Sequence, residues 1–533
     1  MQSPPSDSPT SSSEAPSSSD TCPSTAHHSR RPTISSVASH SSDDAFWMTR
    51  IGKPILRMLE LAQYSDKAVR AHEEFLRDFI VPALGLAPAA PAWAQSRLVP
   101  RFPSFMCDDN TPVELGITWA KGRPAIRFSI ECIDHPTELL AHGGVNLRAF
   151  NELVARLDAS ELGDFGTLRK LRDAMTTTTP LCDDVAVSSQ AFIAWDLSHD
   201  GTTATKVYFM PHARAKATGM SNLEVVDAAL RSVGMDACAG WQATKSYIAS
   251  LEVADRPEVL ILSTDCIAQG ARFKVYLRYP TSEAEEIAQH LSLGGASFSG
   301  WREPLDQVFA ALGLPTSIGP LDDSEHLTGG TLLYAEFTAT SSRPSSKVYL
   351  PVRHWPQCSD ASVAEGIGQL VSLWSGSSSS HGLDIEGGYP AAVASLFPDR
   401  DLASRGVHNY VCIGQKHDGR LDISAYHNPQ LFTPLPLQPN AVSLAAASTQ
   451  TCEALKLPAV TQSEELPRDA AAPRAVEAPL PTTSPSSLPA APAEKVRDSP
   501  LRRFRMAARL NMLMRRGVAR WQQRSQSAAP VQA

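Results

Sequence analysis

Arg272, Lys274 and Tyr276 stand two residues apart, with Phe273, Val275 and Leu277 between and after them. Strand side chains alternate faces with period two. One face of this stretch is therefore apolar, and the other carries two cations and a phenol. Taken alone, it reads as a half-exposed strand with a solvated charged face. Recurrence points elsewhere. Lys206-Val207-Tyr208-Phe209 and Lys347-Val348-Tyr349-Leu350 repeat the order cation, apolar residue, tyrosine. Arg127-Phe128-Ser129-Ile130 keeps the cation and the alternation, with Ser in the tyrosine position, and Leu421-Asp422-Ile423-Ser424-Ala425-Tyr426 closes the series without a cation. Regular spacing in an otherwise aperiodic chain marks a repeated supersecondary unit.

If the polar faces converge, Arg127, Lys206, Arg272, Lys274 and Lys347 share one low-dielectric wall. Buried charge without a partner is costly. No acidic residue on those faces is an obvious partner, so the expected occupant is an anion of several charges, such as a diphosphate. Tyr208, Tyr276, Tyr349 and Tyr410 can hydrogen-bond phosphate oxygens, and their ring faces attract a cation. An anion clamp beside an aromatic cage suits a substrate that splits into diphosphate and a carbocation, with the cage keeping water away. There is no GxxxxGK[ST] loop, no GxGxxG after a strand and no DDxxD motif, and Asp108-Asp109 and Asp322-Asp323 read as loop acids. Ionisation by fixed Arg and Lys is favoured over ionisation assisted by magnesium. No cofactor is expected; a divalent cation would at most stimulate.

Each polar strand has a partner just before it: Val113–Trp119, Ala191–Leu197, Glu258–Ser263, Leu332–Phe337 and Tyr410–Gln415. Turn residues join the pairs, at Lys121-Gly122, Asp200-Gly201, Gln269-Gly270, Arg343-Pro344 and Asp418-Gly419. Five hairpins in series follow. Helical apolar stripes lie between them. Ile55, Leu56, Met58, Leu59 and Leu61 mark one before the first hairpin, with a second over Asp66–Ala83. Ala149–Asp158, Asn222–Val233, a helix capped by a Ser282-Glu283-Ala284-Glu285 box and stopped by Gly294-Gly295, Pro304–Leu312 and Val363–Trp374 follow. The expected fold is α/β of the α+β type: a ten-stranded antiparallel β-barrel of five ααββ repeats with helices outside. The Lys and Tyr faces then line the lumen.

The chain has 533 residues, 42% hydrophobic and 20% charged, with net charge −8, the composition of a soluble protein with flexible ends. The acidic balance argues against a nucleic-acid-binding core. Nine cysteines without CxxC or Cys/His spacing point to a reducing compartment and no zinc site. No run reaches the roughly 18 apolar residues of a membrane span, and a cytoplasmic location is expected. Residues 1–42, rich in Ser, Pro and Thr with almost no large apolar side chain, are expected to be disordered, and lack the apolar stretch of a secretory signal. The barrel domain is placed at 43–436. An Ala/Pro/Ser-rich linker is expected over 437–498, and a basic amphipathic helix over 499–525. That helix sets Phe504, Leu510, Met514, Val518 and Trp521 against Arg502, Arg505, Arg509, Arg516 and Arg520. It suits an anionic membrane surface or a protein partner.

Several of these motifs, taken in order, resemble fungal aromatic prenyltransferases of the dimethylallyltryptophan synthase type. They are Thr111-Pro112-Val113-Glu114-Leu115, Arg127-Phe128-Ser129-Ile130-Glu131, Lys206-Val207-Tyr208-Phe209-Met210-Pro211, Arg272-Phe273-Lys274-Val275-Tyr276 with Leu293-Gly294-Gly295, and Lys347-Val348-Tyr349-Leu350-Pro351-Val352-Arg353-His354. The resemblance spans Phe46 to Pro434. It implies the ABBA barrel and transfer of a prenyl group from dimethylallyl diphosphate to an aromatic acceptor, usually an indole, without an essential metal. By that resemblance, Arg127, Lys206, Tyr208, Arg272, Lys274, Tyr276, Lys347, Tyr349 and Tyr410 hold the diphosphate and shield the cation. Glu114 accepts the indole N–H, which enriches the ring in electrons as it attacks. From spacing alone, Glu114 is an ordinary strand carboxylate; its place in Pro-Val-Glu-Leu ahead of Arg127 marks it as functional.

Three departures from the family pattern stand out. Lys347 takes the place of a frequent glutamine, which makes the clamp more cationic. Gly414, Gln415 and Lys416 occupy a region where a second tyrosine often follows Tyr410, which leaves the cage open on one side. Gln190-Ala191-Phe192-Ile193-Ala194 offers no lysine to take the ring proton, which leaves that proton unassigned and turnover slow. The expected partners are dimethylallyl diphosphate, an indole- or tryptophan-derived acceptor and no nucleic acid, with a homodimer and a peripheral contact through the basic helix in addition. The alternatives are a phenol or tyrosine prenyltransferase on the same barrel and a catalytically silent ligand- or partner-binding relative. Residues near Leu332 to Tyr334 are placed to limit donor length.

Overall fold

Alternating apolar and polar residues, rich in Val, Ile and aromatics, give ten strands that pair in one closed antiparallel ring. The strands are β1 (Val113–Trp119), β2 (Pro124–Ile130), β3 (Ala191–Leu197), β4 (Thr203–Phe209), β5 (Glu258–Asp265), β6 (Phe273–Tyr279), β7 (Thr331–Phe337), β8 (Ser345–Leu350), β9 (His408–Gln415) and β10 (Leu421–His427). Each pairs with its neighbours in sequence, and β1 closes on β10 through Gly116 opposite Tyr426. The computed structural model describes residues 42–90, 98–119, 123–180, 188–316, 330–375, 381–415 and 421–432. The expected N-terminal segment, linker and basic helix, the turns at Lys121-Gly122 and Asp418-Gly419, and Asp322-Asp323 lie outside them.

Two helices of eight or more residues precede every hairpin, which gives the ααββ repeat five times. The pairs are Lys53–Leu61 with Asp66–Phe75, Arg148–Ala159 with Gly166–Met175, and Asn222–Ser232 with Ala239–Ser250. Ala284–Leu291 with Arg302–Ala311, and Asp360–Ser375 with Gly388–Leu396, complete the set. The helix expected over Asp66–Ala83 changes pitch instead, passing through a π turn at Leu76–Ile80 and a 3-10 turn at Val81–Leu84. The capping box expected at Ser282 does not form. Glu283 is the N-cap of Ala284–Leu291 and makes no side-chain cap bond. A capping box does form at Ser221, whose hydroxyl accepts from the Glu224 amide while the Glu224 carboxylate accepts from the Ser221 amide.

The two faces of the strands build two separate cores. Phe209, Phe273, Val275, Leu277 and Val348 point outward and pack with Trp241, Ile287, Leu305, Val308, Ile367 and Val371 of the helices. Each such side chain taken fully from water contributes about 1.5–3 kcal/mol. Met106, Phe192, Met210, Leu260, Ile261, Tyr276 and Leu332 form a smaller cluster within the lumen. The described hairpin turns, at Asp200-Gly201, Gln269-Gly270 and Arg343-Pro344, fall at one end of the barrel, and the helical crossovers leave from the other. At two of those turns, Gly201 and Gly270 adopt φ of +90° and +70°, which glycine does without steric cost.

The last helical pair is tied to the barrel by a buried polar chain. Asp360 accepts from the Val407 and His408 amides and from His408 Nδ1, at 2.9, 2.8 and 2.9 Å. The Tyr389 hydroxyl bridges Nε2 of His408 at 2.9 Å and Nε2 of His427 at 2.7 Å. Burial, reinforced by His408, holds His427 well below the ordinary value of 6.5, so it stays neutral. Its folded pKa is depressed, so the unfolded chain binds a proton that the folded chain refuses, and stability is lost as pH falls below about 6.5. Urea unfolding should show this slope, and His427→Leu should remove part of it. Tyr389→Phe removes the partner of Nε2 in both imidazoles and should cost about 1–3 kcal/mol at neutral pH.

Candidate active site

The second strand of each hairpin runs away from its turn, so a cation-x-Tyr order puts the cation nearer the turns and the tyrosine one layer deeper. Lys206 and Tyr208 on β4, Lys274 and Tyr276 on β6, and Lys347 and Tyr349 on β8 follow this rule; Arg127 on β2 is followed by Ser129. Glu114 on β1 and Tyr410 on β9 lie toward the crossover end. The strands thus grade the lumen along its axis from charge, through aromatic rings, to a deeper layer that holds Glu114.

A cavity lies in this lumen. Glu114, Arg127, Lys206, Tyr208, Tyr276, Tyr349 and Tyr410 line it, with Phe105, Met106, Phe192, Asp196, Ile261, Leu332 and Tyr426 among the others. Seven of the ten expected site residues are therefore brought together on one surface. Lys274 and Lys347 are buried on the same lumen face but do not line the cavity. Arg272 stands just before β6 with its side chain 44% exposed.

The expectation that these cations lack acidic partners is wrong. Asp196 pairs with Arg127 at 3.4 Å and closely with Lys206. Asp265 takes Arg272 in a fork at 2.6 and 3.1 Å and lies 3.5 Å from Lys274, which is 3.7 Å from Glu336. Lys347 lies 3.8 Å from Asp422 and donates to Ser424 at 3.0 Å. The extra cation at 347 thus comes with an acid beside it. The signal was present in the partner strands. Phe192/Ala194/Asp196, Ile261/Ser263/Asp265 and Leu332/Tyr334/Glu336 each end with an acid on the lumen face. Register then sets Asp196 opposite Arg127, Asp265 opposite Lys206 and Glu336 opposite Lys274.

Charge is matched here more fully than hydrogen bonding. Arg127 Nε and Lys274 Nζ are buried and have no hydrogen-bond acceptor among the described residues. Two glycines make room for the long side chains. A Cβ on Gly116 would sit 2.7 Å from Arg127 Cγ, and one on Gly414 would sit 2.3 Å from Asp422 Oδ1 and 3.2 Å from Lys347 Cδ.

Tyr349 is the hub of the aromatic layer. Its ring centroid lies 5.8 Å from Tyr276, 6.0 Å from Tyr334, 6.0 Å from Tyr410 and 5.7 Å from Tyr426. Phe192 stacks on Tyr208 at 4.4 Å and continues the wall. Tyr426 occupies the side expected to be open after Tyr410, because β10 returns between β9 and β1 and points this ring inward. Tyr426 lines the cavity but was absent from the expected site residues, although it closes the fifth repeat.

The two carboxyl groups lining the cavity are in opposite states. Burial alone would raise Asp196, but Arg127 and Lys206 hold it well below the usual carboxylate range. Glu114 is pushed up to about 8 by burial, offset only by the Asn409 side-chain amide, which donates to Oε1 at 2.9 Å. Asn409 is a further member of the site, placed by the irregular pairing between β9 and β10 near Tyr426 and His427. Among the described residues, no group of three or more His, Cys, Asp or Glu is placed to hold a metal ion.

A family model described as tryptophan dimethylallyltransferase matches residues 43–376. The chain belongs to that family. Among its relatives, 4-O-dimethylallyl-L-tyrosine synthase of Claviceps purpurea is 29% identical, covering 72% of this chain and 87% of the relative. The 7-dimethylallyltryptophan synthase of Aspergillus fumigatus is 26% identical, over 74% and 86%. In fold, this dimethylallyltransferase family member matches AnaPT from Neosartorya fischeri with a TM-score of 0.60 at 16% identity, over 73% and 94% of the two chains. NotF, solved with brevianamide F and DMSPP, matches at 0.59 and 20%, over 73% and 95%. The enzyme is a prenyltransferase with the ABBA barrel, as the sequence led one to expect. Its strands β9 and β10, which bring Asn409, Tyr410 and Tyr426 to the lumen, lie beyond the matched residues.

The state of Glu114 is directly testable. The infrared difference between wild type and Glu114→Gln should show a carboxylic-acid band at pH 6 that is replaced by a carboxylate band through a midpoint near 8. A midpoint near 4.5 would mean that the side chain is hydrated.

Proposed function

We propose that this enzyme transfers a dimethylallyl group from dimethylallyl diphosphate to an indole-derived acceptor, and that the cation layer supplies the charge for ionisation without an essential metal. The observation that carries this reading is the axial order of the cavity lining: fixed cations, then tyrosine rings, then the buried carboxyl group of Glu114. Arg127, Lys206, Arg272, Lys274 and Lys347 receive the charge that builds on the diphosphate as the allylic C–O bond breaks, a form of electrostatic stabilisation that needs no reorganisation at the moment of reaction. Tyr208, Tyr276, Tyr349, Tyr410 and Tyr426 face the resulting cation with their rings and exclude water. The acceptor packs among Met106, Phe192, Ile261 and Leu332 and directs its N–H at Glu114. A ring carbon forms the new C–C bond and then loses its proton.

Glu114 holds a proton near neutrality, so acceptance of the indole N–H requires its ionised form. The acceptor kcat/KM should therefore rise with pH and level off above about 8. Glu114→Gln should lower it about 100-fold and flatten the profile. Undiminished turnover would remove this role. A second reading is favoured by one finding, the similarity to a tyrosine 4-O-dimethylallyl synthase: a phenol O–H can present itself to Glu114 as an N–H does. Purified enzyme incubated with labelled dimethylallyl diphosphate and indoles, tyrosine and naphthols, with and without EDTA, separates the readings. Turnover is expected with indoles and unchanged by EDTA; transfer only to phenols would favour the second reading.

The aromatic layer generates its own test. Tyr426→Leu opens the wall beside Tyr349, so the share of donor consumed as prenyl alcohol rather than transferred should rise several-fold. An unchanged partition would show that Tyr426 does not shield the cation. We further propose a cytoplasmic site of action, self-association and a peripheral contact through the basic 499–525 segment.

A further inference from the structure

The cavity lining contains a charged group that the clamp-and-cage description does not use. Asp196 lies on the lumen face of β3, opposite Arg127 across the β2–β3 ladder and next to Lys206 across β3–β4. It is the anion that both cavity-lining cations already grip. Its counterparts differ from it. Asp265 and Asp422 are 8% and 7% exposed and do not line the cavity, whereas the Asp196 side chain is 32% exposed and does. Asp265 also holds Arg272 in a two-bond fork. Asp196 makes no such fork with Arg127, whose Nε lies 3.4 Å from Oδ1 with no hydrogen-bond acceptor among the described residues, and whose Nη1 donates to the Tyr426 hydroxyl at 3.4 Å.

Arg127 is thus neutralised but poorly hydrogen-bonded, and Lys206 shares the same carboxylate. A guanidinium in this state has more to gain from a phosphate group, which offers several oxygens in matching geometry, than from one distant carboxylate oxygen. We propose that Asp196 is an internal stand-in for the donor's diphosphate. It holds Arg127 and Lys206 in the unliganded enzyme, gives them up when a diphosphate enters, and takes them back as pyrophosphate leaves. No bond is made or broken; the two cations exchange one anionic partner for another. Asp196 is on this account a positioning residue that limits how tightly donor and product are held. The inference rests on the clamp assignment under Proposed function and adds to it a built-in competitor.

The experiment is calorimetric binding of inorganic pyrophosphate to the full chain and to Asp196→Asn, which keeps the shape and removes the charge. Pyrophosphate should bind the variant at least about tenfold more tightly, since a competing charge within contact distance is gone. In steady state, product inhibition by pyrophosphate should strengthen by the same factor. The donor KM should fall and kcat should fall with it, as release becomes slow; a merely structural defect would raise KM. Equal or weaker binding by a variant with wild-type circular dichroism would overturn the proposal. If the variant is insoluble alone, purification in pyrophosphate should restore it, and failure to do so would also overturn the proposal. A wild-type protein that does not bind pyrophosphate would instead sink the clamp assignment, and this inference with it.

Discussion

Arg127, Lys206, Lys274 and Lys347 have to be kept inside a water-poor β-cylinder before any substrate arrives. Desolvation makes that unfavourable unless each is paired, and the barrel meets the requirement with acids drawn from adjacent strands. Arg127 leans on Asp196, Lys274 on Asp265 and Glu336, and Lys347 on Asp422. The pairing depends on closure of the sheet. Asp422 reaches Lys347 across β9 only because Gly414 leaves room between them, and Arg127 lies over β1 because Gly116 does the same. Ring closure, glycine placement and charge balance are therefore one constraint.

The same desolvation acts differently at each depth. Near the turns it is outweighed by neighbouring cations, and Asp196 stays ionised. In the middle layer it keeps the phenols protonated, raising Tyr426 to about 12 and the others further. At the crossover end it is opposed by one amide, and Glu114 rests near 8. A single physical term, met by different neighbours, yields an anion clamp, a neutral aromatic wall and a carboxyl group that can change state near physiological pH.

The faces of the strands were legible in the sequence because period two assigns them without knowledge of the partner strand. Arg127, Lys206, Lys274, Lys347, the tyrosines and Glu114 all reach the lumen for that reason. What lies beside them depends on register and closure, which periodicity does not encode. Asp265 fell two residues past the expected end of β5 at Ser263, so its role in the clamp went unseen. Asp196 and Glu336 sat within expected strands, but their register with the cations was not read. The sequence after Tyr410 leaves one side of β9 open; β10, folding back, fills it with Tyr426. The Ser282 box failed because Glu283, not Ser282, became the N-cap, while the same spacing at Ser221 succeeded.

Hairpin turns gather at one end of the barrel and helical crossovers at the other. The strand residues that would meet the leaving group therefore lie beside short, tightly bounded connections, and those that would meet the acceptor border long, helix-bearing ones. Lengthening or reshaping a crossover alters the deep apolar end and leaves the ionic layer in register. A lineage built on this plan can diversify the aromatic molecules it modifies while its prenyl-activating chemistry stays fixed, and laboratory evolution aimed at new acceptors has its most permissive targets in the crossovers.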